Sequence, residues 1–259
     1  MNKSARVFLS LALPALIGLA LYFWPEGASA QNISLDFGGE DNGTVTGRII
    51  QMVALLTVLS LAPSIMIMMT SFTRIIVALS FLRTAIGIQQ TPPNAVLISL
   101  AMFLTFFIMA PTLEAAYTNG IQPLINEEID EVEAFQRSID PFKTFMLDNV
   151  READVELFLN ASQTEKPENI METPLQVVVP AFMISELKRA FEIGFMLFLP
   201  FLIIDLVTAS ILMSMGMMML PPVTISLPFK IIFFVLVDGW YLVTGSLIQS
   251  FDAFGPITP

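Results

Sequence analysis

Three kinds of side chain in this 259-residue sequence have types and positions that could do chemistry. Asp205 and Asp238 are carboxylates inside otherwise apolar runs, and Lys230 is an ammonium between them. Met213, Met215, Met217, Met218 and Met219 crowd around Gly216 just ahead of Pro221 and Pro222. Two acids on adjacent apolar segments are what an intramembrane aspartyl protease uses to activate water. Such an enzyme carries Gly-x-Gly-Asp around one acid, whereas here the residues are Leu236, Val237, Asp238 and Gly239. A structural role fits better: a buried acid holding a cation, or capping a broken helix of a neighbouring subunit. An ionised carboxylate in hydrocarbon costs roughly 2.5 to 3.5 kcal/mol on insertion scales, so these acids face protein or water. Lys230 is one partner open to Asp205 or Asp238; Arg74, Lys188 and Arg189 are others.

The methionines admit three readings: core filler at a helix end, the lining of a pore constriction, or thioether ligands for a soft metal such as Cu(I). Copper sites usually enlist Cys or His, and the chain has neither. For the pore reading, geometry matters. Met217, Met218 and Met219 are consecutive, so a helix would point them in three directions, and they meet an axis only from an irregular loop. Gly216, Pro221 and Pro222 supply that irregularity, since neither proline donates an amide proton and the pair ends a helix.

Composition narrows the class. The chain is 55% hydrophobic and 14% charged, with a mean hydropathy of +0.74, more apolar than soluble domains of this length. Without Cys or His, thiol nucleophiles, disulfides, histidine bases and the usual zinc sites are excluded. No Walker A loop is present, so any driving energy comes from elsewhere. Of the net charge of −11, most lies between Glu114 and Glu172, where fourteen acidic residues face four basic ones. Nucleic acid is a poor partner for such a chain, because phosphate contacts need clustered Lys and Arg.

The elements that must position these residues follow in order. Residues 1–30 have the parts of a secretory signal: Lys3 and Arg6, an apolar run from Val7 to Phe23, Pro25, and Ala28-Ser29-Ala30 before an expected cut at Gln31. An uncleaved first membrane helix is the competing reading. Residues 31–48 read as a polar, Gly-rich N-terminus. Residues 49–113 form a first apolar hairpin: Ile49 to Ile67, broken near Pro63; Met68 to Ile88, with Arg74 and Arg83; a QQTPPN turn; and Ala95 to Met109, stopping at Pro111. The positive-inside rule puts that turn in the cytoplasm. Residues 114–173 are a solvated acidic insertion, with an amphipathic helix over Ile121 to Phe145 (Ile125, Ile129, Val132, Phe135 and Ile139 at helical spacing) and another over Ala153 to Leu159. Residues 174–259 form a second hairpin, in which Glu186 can pair with Arg189, Ile193 to Leu220 exceeds a span of about 20 residues and is kinked at Pro200, and Val223 to Leu247 carries Lys230 and Asp238. Taken at face value, four apolar segments leave both mature ends outside the cytoplasm.

The run FLPFLIIDLVTASILMSMGMMMLPPVTISLPFK, continued by LVDGWYLVTGSLIQSF, strongly resembles the FliP family of the flagellar type III export gate. So does TSFTRIIVALSFLRTAIGIQQTPPNAVLISLAMFLTFFIMAPT; the matching segments cover Met69 to Thr112 and Val178 to Phe251. The resemblance implies an all-α fold of broken helical hairpins, assembled as a pentamer with FliQ-like and FliR-like subunits and sitting largely above the membrane plane. It implies a gasket of Met217, Met218 and Met219 on a loop made by Gly216, Pro221 and Pro222, passing unfolded flagellar proteins across the bacterial inner membrane at the basal body. No enzyme activity, cofactor or metal is expected, and membrane lipid is. A virulence injectisome homologue is the nearest alternative; a secondary transporter using Asp205 and Asp238 is a second, although the two halves show no inverted repeat.

Overall fold

The computed structural model describes residues 45–88, 90–163, 167, 169–217 and 220–252, and all of its regular elements there are helices. The expected signal peptide and residues 31–44 lie outside the described residues. The chain divides into a first unit ending at Gln51 and a second starting at Met52, which carries everything below.

Helix α1 spans Val45–Met68, and its part in the second unit, Met52–Met68, is bent 66° from helix α2 (Phe72–Ile86). The bend is at Met69–Ser71 and not at Pro63, which α1 runs through. A proline removes one i to i−4 bond and need not end a helix whose remaining bonds hold. Gly87, at φ 88°, closes α2 in the left-handed conformation, with its N–H on the Thr84 carbonyl at 3.1 Å.

Helix α3 (Asn94–Ala116) likewise continues past Pro111, the expected stop. A π turn (Tyr117–Ile121) joins it to α4 (Gln122–Ile125), giving one helical run of 32 residues. The amphipathic helix expected over Ile121 to Phe145 is therefore two pieces. The chain breaks after Ile125, passes Glu127 at φ 59°, and restarts as α5 (Glu131–Asn149) from Asp130, whose carboxylate accepts the Glu133 N–H at 2.7 Å. Restarting shifts the helical phase, so Val132 and Phe135 are exposed while Ala134, Phe142, Met146 and Leu147 face inward.

Helix α6 (Glu152–Ala161) and a 3₁₀ turn (Ile170–Glu172) complete the insertion. Helix α7 (Leu175–Ser214) is one 40-residue helix that includes Pro180 and Pro200. At 1.5 Å per residue it is about 60 Å long, twice a bilayer's hydrocarbon core. Its first half is clad by the insertion: Val155 and Leu159 of α6 pack on Val177 and Ala181, and Phe142 and Met146 of α5 on Val178 and Phe182. Its apolar second half, from Ile193 to Ser214, is the part of spanning length. Helices α8 (Pro222–Leu236) and α9 (Gly239–Asp252) are bent 64° from each other.

The principal core is built on α2. Ile75, Ala78, Leu79, Leu82 and Ala85 are buried against Leu97 and Ala101 of α3, Phe201 of α7, Phe234 of α8, and Val243 and Leu247 of α9. Much of the remaining apolar surface is uncovered by the chain itself: Phe103 and Phe107 on α3, Phe195 and Met196 on α7, and Val235, Leu236 and Tyr241 at the last bend. Surface of that kind needs lipid or other subunits. Among the described residues two helices are long and apolar enough to cross a membrane, or up to four spans if each bent pair counts as one.

Candidate functional site

The loop between α7 and α8 is shaped by its helix ends. At the end of α7 the Gly216 N–H bonds the Met213 carbonyl at 3.1 Å and the Met217 N–H the Leu212 carbonyl at 3.0 Å, with Gly216 at φ 74°. That pair of bonds is a Schellman motif, which needs a left-handed residue after the helix. Gly216, and not the double proline, therefore terminates α7. Pro221 and Pro222 instead start α8, Pro222 at its first turn, where a missing amide proton costs nothing. Between these devices Met215, Met217 and Leu220 are exposed; Met218 and Met219 lie outside the described residues. Among the described residues nothing stands within 4 Å of where a Cβ on Gly216 would be.

A polar knot holds the two helices that carry this loop. Lys230, 3% exposed on α8, donates to the Asp205 carboxylate of α7 at 2.6 Å and to the Ala85 carbonyl at the end of α2 at 3.1 Å. The buried Ser226 hydroxyl donates to the other Asp205 oxygen at 2.5 Å. Serine and lysine lie four residues apart on one face of α8, so both reach a single carboxylate. Asp205 thus joins Lys230, and Asp238 does not. Asp238 sits at the α8–α9 bend with φ 50°, exposed, and its carboxylate has no hydrogen-bond or ion-pair partner among the described residues.

A second knot was not legible beforehand. Arg74 and Glu186, both 0% exposed, form a two-pronged ion pair between α2 and α7: Nε donates to Oε2 at 2.9 Å and Nη2 to Oε1. Arg74 Nη1 also donates to the carbonyl and hydroxyl of Ser250 on α9, each at 3.0 Å, and the guanidinium lies 3.6 Å above the Phe251 ring. The expected partner of Glu186 was Arg189, three residues on; its hydrogen bonds go to Arg74 instead, because a planar fork matches both carboxylate oxygens. In the sequence Arg74 shares its apolar segment with Arg83, and Glu186 lies beside Lys188, Arg189 and Glu192, so nothing singled out this pair. Arg74 is therefore no loop cation, which leaves Arg83, bonded to Asn94 Oδ1 at 2.5 Å, as the charge flanking the QQTPPN turn.

A third cluster fastens the insertion. Asp154, buried on α6, accepts from Ser185 Oγ of α7 at 2.5 Å and from Arg151 Nε and Nη2 at 2.8 and 2.7 Å. Each of these three arrangements clamps one helix to another.

The FliP family model matches residues 55–247. Among known relatives, the flagellar biosynthetic protein FliP of Caulobacter vibrioides is 59% identical over 243 residues, covering 93% of this chain and 90% of the relative. The protein of the same name from Bacillus subtilis is 55% identical over 215 residues, covering 83% of this chain and 97% of its own length. That of Aquifex aeolicus is 54% identical over 205 residues, covering 78% and 86%.

Proposed function

The chain belongs to the FliP family, and from that premise we propose that it is a subunit of the flagellar type III export gate, forming part of the channel through which unfolded flagellar proteins cross the bacterial inner membrane. The relatives' flagellar name favours this over an injectisome branch or a small-solute carrier. In this reading the chain is delivered by a cleaved signal peptide, its acidic insertion faces the periplasm, and it assembles as a pentamer with FliQ-like and FliR-like subunits in the basal body. The chain is a conduit and not an enzyme. Its uncovered apolar faces support assembly, since an isolated copy would present them to water.

The gate is the loop from Met215 to Leu220, with Met217, Met218 and Met219 closing on one another around the oligomer axis. The observation that carries this is the termination of α7 at Gly216, which takes Met217 out of helical geometry beside two helices joined by the Asp205–Lys230 pair. Thioether side chains are flexible and polarisable, and they make no specific hydrogen bond that a wrong substrate residue would leave unpaired. They seal without selecting. Replacing Met217, Met218 and Met219 together by Ala in the purified, reconstituted complex raises passive ion leak in planar bilayers; conductance unchanged from the native complex would remove the gate from this loop.

A further inference from the structure

Lys230 does more than pair with Asp205. Its ammonium also takes the Ala85 carbonyl, one of the last four of α2, which lack partners within their own helix. A cation at that place also meets the negative end of the helix dipole. One buried side chain therefore ties the end of α2 to both α7 and α8. The junction is packed as well as bonded: a Cβ on Gly87, the left-handed cap of α2, would stand 3.5 Å from Leu227 Cδ1, an ordinary contact. Arg83, in the last turn of α2, braces the turn that follows through the Pro92 carbonyl at 3.4 Å and Asn94 Oδ1. α2 thus ends against the first half of α8, which starts at Pro222, just beyond Leu220 of the methionine loop.

We propose that Gly87 is a positioning residue for the gate: the left-handed cap sets where the Ala85 carbonyl stands, that carbonyl holds the Lys230 ammonium, and Lys230 fixes α8 and with it the resting position of the loop. α2 is suited to be the fixed post, because the principal core is built on it and its first turns are fastened to α7 by the Arg74–Glu186 pair. α8 is suited to be the part that is held, because Lys230 is its only charged residue. The inference rests on the reading of the α7–α8 loop as the channel gate.

The competing role for Gly87 is only to end α2, which would cost stability without touching the gate. In the purified complex in planar bilayers, Gly87→Ala is expected to raise passive ion leak about fivefold, the population shift that the strain of a left-handed alanine corresponds to. Gly87→Asn, which accepts that conformation more readily, returns the leak towards the native level. Lys230→Met leaks too, and adding Gly87→Ala to it brings no further increase, because the cap acts through the ammonium. Leu227→Ala loosens the same junction from the α8 side, and leaks even where Gly87→Ala fails to assemble. Ile75→Val, which thins the core of α2 away from the cap, lowers the thermal midpoint and leaves the leak native. A native leak in both Gly87→Ala and Leu227→Ala, or leaks that multiply in the double variant, overturns the proposal and leaves Gly87 as a helix end. So does an Ile75→Val complex that leaks as much as Gly87→Ala. If replacing Met217, Met218 and Met219 by Ala leaves conductance native, the gate reading itself fails; leak from that variant with none from Gly87→Ala or Leu227→Ala removes the positioning role alone.

Discussion

The two buried ion pairs solve the same problem in different ways. Arg74 and Glu186 are both fully enclosed and their match is planar, with further bonds to Ser250 and an aromatic face beneath. Asp205 and Lys230 meet through a point charge, and the Asp205 side chain is 23% exposed. The first pair lies where α2, α7 and α9 converge; the second lies on the helices that carry the methionine loop. A dry pair has nothing to replace a lost partner, so it fixes the frame. A pair open on one side can exchange bonds at lower cost, which suits the helices on either side of a loop that must yield.

The largest effect that tests this difference is expected from Glu186→Gln. It leaves the Arg74 guanidinium buried against a neutral amide and should cost about 3 to 5 kcal/mol, read as lost folded yield and a lowered midpoint of thermal unfolding in detergent. Arg74→Lys should fall only partly short of that, because an ammonium keeps the charge but cannot grip both carboxylate oxygens and Ser250 together. Lys230→Met should cost about 1 to 3 kcal/mol, since Asp205 keeps its Ser226 bond and some exposure. Its stronger signature should be a changed ion leak through an assembled complex. If Lys230→Met and Glu186→Gln destabilise equally, the distinction between frame and gate support fails.

Gly216→Ala is the next smaller perturbation. The space around it is open, so the penalty is the left-handed backbone alone, about 1 kcal/mol. Fraying of the last turn of α7 should show as faster amide exchange at Leu212 to Met217, with the Arg74 region unchanged. Protection lost at both places would mean that the loop and the frame unfold as one unit.

How much of this was legible in the sequence depends on the range of the interaction. Long apolar runs announced the helices, because a chain in lipid must satisfy its own backbone. Helix ends were misplaced where proline was given too much weight: Pro63 and Pro111 lie within helices, while Gly216 ends one and Pro222 begins another. The phase of α5 was misjudged because Asp130 resets it after a break that the apolar spacing of Ile125, Val132 and Phe135 conceals. Asp205 and Lys230 lie 25 positions apart across one turn and were among the candidate pairs. Arg74 and Glu186 are 112 positions apart, and helical periodicity speaks only to neighbours three or four residues away.

The smallest prediction sets both pairs against an acid with no partner. Asp148, near the end of α5 in the insertion, is part-buried and has no hydrogen bond or ion pair among the described residues. Burial raises its pKa above the ordinary carboxylate value. A raised native pKa means that the folded state holds the proton more tightly than the unfolded chain. Asp148 therefore favours folding fully only below the unfolded pKa, and that contribution is lost as pH rises through the native one. At neutral pH the charged side chain is a mild liability, so Asp148→Asn should raise the unfolding free energy slightly, by well under about 1 kcal/mol after solvent screening, read as a small rise in the thermal midpoint. The advantage should vanish when the unfolding series is taken below the ordinary carboxylate pKa, where native and variant side chains are both neutral. A variant less stable than the native protein at pH 7 would mean that the Asp148 carboxylate is held by a favourable charge, like Glu186, and that burial is not what governs it.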